Sequence, residues 1–326
     1  MTALAWLIVG LGLTFGFFNG MNDSGTLAAA MICTGAVGPR KALLLVAASQ
    51  VVGALTAGLA VAYTVGQGIV VPGAITGPVV VAALVASVAW NALASFAGLP
   101  SSSSHALVGA LAGAAWAAAG PHAILLGGVA RVLVVLFVAP WVGFVVTYTL
   151  MKLLLWALAD SRPKVGVRLK RAQWLVVPLV AAGHGANDGQ KSMGIIALGL
   201  FAVRALPAFT VPHWVQVAAA AALAMGTAVG GMRILRTVGL KLYRMRAIHG
   251  FASQAATALV VLIASLLGNP VSTTQVLSAG IAGAGSAQRF SQVRWGVIVH
   301  IVLTWFLTVP GAGGLAAVVY WLVWRL

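Results

Sequence analysis

Apolar stretches longer than the roughly 18 to 20 residues a helix needs to cross a bilayer follow one another through almost the whole of this chain. Ala42 to Ala62 and Val211 to Val229 are two such runs. Neither alternates apolar with polar residues, as the roughly ten-residue strands of a membrane barrel do. The expected class is therefore an all-α integral membrane protein. Composition excludes the soluble alternative, because 61% of the 326 residues are hydrophobic and only 7% are charged, against roughly a quarter charged in a soluble domain.

The formal net charge of +16 would suggest nucleic acid in a soluble protein, so its placement matters. Ten of the nineteen basic residues fall in two short stretches: Arg162, Lys164, Arg168, Lys170 and Arg171, then Arg233, Arg236, Lys241, Arg244 and Arg246. Basic clusters beside apolar spans mark cytoplasmic loops under the positive-inside rule. The expected partner is thus the lipid bilayer, with no nucleic acid. Lone Cys33 excludes an intrachain disulfide. Met1 to Gly16 has no basic region ahead of its apolar run and is read as the first membrane helix.

Two pairs of segments recur in the same order. Gly20-Met21-Asn22-Asp23 corresponds to Gly185-Ala186-Asn187-Asp188, and Pro100-Ser101-Ser102-Ser103-Ser104-His105 corresponds to Pro270-Val271-Ser272-Thr273-Thr274-Gln275. The spacing from Asp23 to Pro100 is 77 residues and that from Asp188 to Pro270 is 82. The chain is read as a first repeat over 1–159, a basic cytoplasmic linker over 160–171 and a second repeat over 172–326. Helical spans are expected near 3–33, 41–63, 76–97 and 122–157, then 172–203, 212–236, 250–267 and 293–324. The last span of each half is overlong and is expected to divide at Pro140 or Pro310. Five crossings per repeat then give about 10 transmembrane helices, and an odd number inverts the second repeat relative to the first. The two Ser/Thr-rich segments are expected to be re-entrant helical hairpins beside a polar pocket, since irregular backbone at membrane depth needs a cavity or protein to satisfy it.

The chain has three acidic residues, Asp23, Asp160 and Asp188, and two of them occupy equivalent places. Asp160 lies in the basic loop, where a solvated ion pair explains it. An Asp near the bilayer centre costs about 2.5 to 3.5 kcal/mol on insertion scales, which marks Asp23 and Asp188 as paired or functional. Glycines around each are expected to let the helix unwind, so that the next half-helix offers its N-terminus to an anion. Carboxylate and carbonyl oxygens suit a hard cation such as sodium, and hydroxyls, amides and Lys191 suit an oxyanion. Lys191, three residues after Asp188, is either its neutralising partner or a positive charge for the anion. His184 and His105 are either satisfied buried histidines or members of the site.

Hydrolysis is disfavoured. Ser104 and His105 are adjacent, yet the second half has Gln275 where the first has His105, and no nucleophile stands on a Gly-flanked elbow. No P-loop and no Cys/His metal set is present, and no cofactor is expected.

These motifs resemble the PiT family of inorganic phosphate transporters, which includes sulfate-transporting members. Gly183-His184-Gly185-Ala186-Asn187-Asp188-Gly189-Gln190-Lys191-Ser192-Met193-Gly194 is similar to the family's second signature, and Pro270-Val271-Ser272-Thr273-Thr274 to its second hairpin. The resemblance implies a secondary transporter that imports phosphate with sodium or protons by alternating access, in the cell membrane. It implies a substrate site of Asn22, Ser102, Ser103, Ser104, Asn187, Gln190, Lys191, Ser272, Thr273 and Thr274, with Asp23 and Asp188 coordinating the coupling cation, sodium if sodium drives uptake. Thr26, His105, His184 and Gln275 are secondary candidates; Thr26 stands where the family usually has Asn, and Gln275 where it often has His. A sulfate permease of the same fold is the alternative, followed by an uncoupled anion channel or a regulatory subunit without turnover. Both termini are expected outside and the basic loops inside, with Arg289 and Arg294 running against that orientation. The small-residue stretch Ala218 to Ala224 is expected to pack within the bundle or in a homodimer.

Overall fold

A computed structural model of the chain describes residues 1–97, 101–159, 164–230, 235 and 245–324. Pro100, Asp160, Arg162, Arg233, Arg236, Lys241 and Arg244 lie outside the described residues. The described residues form twelve α-helices: α1 (Ala3–Cys33), α2 (Pro39–Thr56), α3 (Ala60–Gln67), α4 (Gly77–Ala97), α5 (Ser103–Ala119), α6 (Leu126–Ala157), α7 (Val165–His184), α8 (Gln190–Ala202), α9 (His213–Val229), α10 (Ala247–Leu266), α11 (Thr273–Arg289) and α12 (Trp295–Trp324). A π-helical turn, Gly185–Gly189, joins α7 to α8.

Five of these helices, α1, α4, α6, α10 and α12, are long and apolar enough to cross a membrane, and a sixth span results if α2 and α3, bent by 76° at their junction, count as one. The long helices α6 and α12 do not divide at their prolines. Each runs unbroken through Pro140 or Pro310, because a membrane helix can satisfy the carbonyl freed by proline through its neighbours. At about 1.5 Å per residue α6 is about 48 Å long, well beyond the roughly 30 Å hydrocarbon core.

Burial follows a lipid-facing arrangement. Trp141, Trp156, Leu126 and Leu303 stand exposed on α6 and α12, whereas α4 is buried along most of its length. The basic residues Arg168, Lys170 and Arg171 ride on the first two turns of α7, which starts at Val165.

The packing brings distant parts of the chain together. Helix α5 lies along α12 and α11 along α6; α1 lies against α4 and α9, and α7 against α10 and α2. The α1–α9 contact is tight because a Cβ on Gly20 would strike the Leu223 carbonyl, and one on Gly226 the Phe17 carbonyl. The α2–α7 contact is built the same way, with Gly53 against Ala182 and Gly185 against Gln50. Ala219, Ala220 and Ala222, from the small-residue stretch on α9, are buried within the bundle. Ser101, just ahead of α5, pairs with Thr308 of α12 at 3.3 Å and accepts from Trp90 Nε1 at 3.1 Å.

Candidate functional site

Helix α1 passes through Gly20 to Asp23 without a break, so the expected unwinding does not occur there. Glycine at position 20 serves close approach to α9 instead. In the second half the helix is perturbed but not broken, widening into the π turn that carries Asn187 and Asp188. Single π turns inside helices are frequent at functional sites.

His184, Asp188 and Lys191 stand at i, i+4 and i+7 and so fall on one helix face. His184 Nε2 lies 2.8 Å from Asp23 Oδ2 and 3.0 Å from Asp188 Oδ2. Its Nδ1 lies 2.9 Å from Gln50 Nε2, and the Gln50 carbonyl in turn accepts from Thr227 Oγ1 at 2.7 Å. With the amide in that orientation Nδ1 accepts, so Nε2 carries the proton and donates to the two carboxylates. Asp23, His184 and Asp188 present ligand atoms all within 4.8 Å of one another, and all three side chains are buried.

The two Ser/Thr-rich segments close on this cluster from the other side. Thr274 Oγ1 donates to Asp23 Oδ1, and Thr273 Oγ1 to Asp188 Oδ2 at 3.1 Å. Lys191 Nζ donates to Asp188 Oδ1, to Ser104 Oγ and, at 2.7 Å, to the Val271 carbonyl. Helices α5 and α11 begin at Ser103 and Thr273, so the site lies beside two helix N-termini. Their first amides have no intrahelical partner and favour negative charge. Ser102 caps α5 by accepting from the His105 amide at 3.2 Å, whereas Ser272 makes no such cap on α11.

The Phosphate transporter family profile matches residues 19–169 and 158–316. This chain belongs to the phosphate transporter family. It is 38% identical to a "Probable low-affinity inorganic phosphate transporter" of Rhizobium meliloti (strain 1021), over 96% of each chain. It is likewise 38% identical to a protein of that description in Bacillus subtilis (strain 168), over 98% of this chain and 97% of the relative. A solved structure described as "The sodium-dependent phosphate transporter" is similar across 100% of both chains, with a TM-score of 0.93 and 23% identity, and shows the same fold. Membership places the chain in a non-enzymatic transport family embedded in the membrane.

Of the positions that the family resemblance singled out, Asp23, Asp188, His184, Lys191, Ser104, Thr273 and Thr274 meet in one cluster. Ser102, Ser103 and Ser272 are buried at the start of the hairpin helices. The two asparagines are committed to bonds with neighbouring backbone and serine side chains. Asn22 donates to the Asn91 carbonyl at 3.1 Å and accepts from Ser95 Oγ. Asn187 donates to Ser265 Oγ and the Asn269 carbonyl, each at 3.0 Å, and accepts from the Val271 amide at 3.0 Å. Each therefore ties a signature segment to the helix that leads into a hairpin. Gln190 faces elsewhere, its carbonyl accepting from the Val61 and Ala62 amides at 2.9 and 3.3 Å in the first turn of α3. His105 packs edge-on against Phe137 and bonds Ser102 Oγ through Nδ1 at 2.7 Å, with Gln275 Nε2 3.4 Å away. Thr26 Oγ1 is buried without a hydrogen-bond partner.

Gln50 is the site residue that the sequence motifs miss. Its signal was present as an amide in an otherwise apolar span, and a polar side chain inside a membrane helix points to function.

Proposed function

We propose that the chain is a secondary active transporter that imports inorganic phosphate across the plasma membrane, driven by a sodium or proton gradient, by alternating access. The observation that carries this reading is the convergence of Asp23, Asp188, His184 and Lys191 with both hairpin segments in one buried cluster. Such a cluster has the chemistry to hold a cation and an oxyanion together. The carboxylates supply hard oxygen ligands of the kind sodium prefers. The Ser103 and Ser272 hydroxyls and the first amides of α5 and α11 hold the anion. Asn22 and Asn187 act as positioning residues that fix the hairpins. The curated relatives described as inorganic phosphate transporters support phosphate as the anion.

The architecture we assign is two inverted repeats, 1–159 and 172–326, each carrying one of the Ser/Thr-rich hairpin segments and related across the site; the undivided α6 and α12 withdraw the proline split on which the count of about 10 crossings rested. Matched packing supports it: α5 on α12 answers α11 on α6, and the Gly20 and Gly226 contacts answer those of Gly185 and Gly53. Rocking of the paired bundles about the cluster would then open it to one side at a time.

The deciding experiment is uptake of labelled phosphate into proteoliposomes of the purified protein, under imposed sodium or proton gradients and with sulfate as competitor. Gradient-driven accumulation that sulfate leaves unaffected is expected. Preferential sulfate uptake would replace the substrate, and equilibration without accumulation would make the protein an uncoupled channel.

A further inference from the structure

The two halves of the cluster differ at matched positions. Three residues after the carboxylate stands Thr26 in the first half and Lys191 in the second; four residues before it stand Asn19 and His184. The glycine contacts align the same positions, since Gly20 meets Leu223 as Gly185 meets Gln50.

Lys191 is only 1% exposed, and its Nζ is ringed by three oxygens: Asp188 Oδ1, Ser104 Oγ and the Val271 carbonyl. The Ser104 hydroxyl hydrogen goes to the Val271 carbonyl at 3.0 Å, which leaves its oxygen to accept from lysine. Three acceptors match the three donors of an ammonium, which has no acceptor of its own. Carboxylate, hydroxyl and carbonyl oxygens are also the set that a hard metal cation takes. On the first-half side Asn19, Asp23 and Thr26 share one face of α1 at i, i+4 and i+7. Both polar atoms of Asn19 and the Thr26 hydroxyl are buried there without a hydrogen-bond partner. Thr274, the counterpart of Ser104, reaches Asp23.

We propose that Lys191 is a built-in cation: its ammonium holds beside Asp188, Ser104 and Val271 the place that an exchangeable ion takes beside Asp23, Asn19 and Thr26. This rests on the transport reading and deepens it. The charges of Asp188 and Lys191 cancel within the fold, and Asp23 is the carboxylate left for a mobile ion. One free cation then binds where two symmetric halves would take two.

The test uses the full chain in proteoliposomes, with initial phosphate uptake measured against sodium at fixed pH and against pH at fixed sodium. Thermal melting in sodium chloride versus choline chloride runs in parallel. The unaltered protein is expected to give a Hill coefficient of about one for its driving ion. Lys191→Gln and Lys191→Met are expected to add a sodium requirement, raising the summed coefficient to about two and steepening the sodium dependence of melting. A coefficient near two in the unaltered protein overturns the proposal. So does a folded Lys191 variant whose sodium dependence of melting matches the unaltered protein, including one that merely binds phosphate more weakly, since lysine would then serve the anion. Should neither variant fold, the coefficient of the unaltered protein still decides. An unaltered protein that takes up no phosphate would sink the transport reading, while the melting series would judge the lysine separately.

Discussion

At Asp23 the carboxylate is held by two donors from far along the chain, Nε2 of His184 at 2.8 Å and the hydroxyl of Thr274. Replacing one carboxylate oxygen with an NH2 group would set donor against donor. Hydrogen bonds to a charged group contribute about 1.5–3 kcal/mol each, so Asp23→Asn is expected to lower gradient-driven uptake by roughly 10- to 100-fold or more. Asp188→Asn, which also releases Lys191, is expected to do the same. Both variants keep nearly the native volume and should elute as monodisperse protein in size-exclusion chromatography. Concentrative uptake surviving in both would remove the carboxylates from the cation site. These two residues were legible in the sequence because buried acids are so rare in it. Gln50 showed only as an amide in an apolar span; its place beside His184, 134 positions further on, is set by the packing of α2 on α7. For Gln190 the motif suggested the site, yet the side chain caps α3, a helix whose junction with α2 no local pattern announced.

Among the elements, a close constraint at the site is the contact of α2 with the π turn. A Cβ on Gly185 would meet the Gln50 carbonyl, and backbone cannot step aside as a flexible side chain can. Gly185→Ala is therefore expected to destabilise the protein by about 1–3 kcal/mol through overpacking and to loosen Gln50 from His184. Thermal melting in detergent would show the loss. Gly314→Ala, with open space around it, is the control expected to melt like the unaltered protein. The order of helices was readable from apolar runs and repeated motifs, and α1 spans the residues expected, Ala3–Cys33. The unwinding expected around the glycines was not found, because glycine permits both a broken helix and a close helix contact. Sequence composition does not distinguish those uses; the neighbouring backbone does.

At the scale of the whole molecule, the orientation we propose, with the basic stretches inside, rests on where the basic residues lie. Arg168 is exposed on the first turns of α7, and positive charge is retained on the cytoplasmic side. In a Cys33→Ser background, Arg168→Cys is expected to react with a membrane-impermeant maleimide in inside-out vesicles and to resist it in intact cells. Labelling in intact cells would reverse the assigned topology.

The pairing of α5 with α12 also bears on biogenesis. Synthesis proceeds from the N-terminus, so α4 and α5 enter the membrane when the helix that covers them has yet to be translated. Ser101 meets Thr308 only after some two hundred further residues have emerged. Until then the serine-rich tip must be sheltered by lipid headgroups, by the insertion machinery or by a provisional neighbour. The first half of the bundle is thus completed only when α12 packs on α4 and α5.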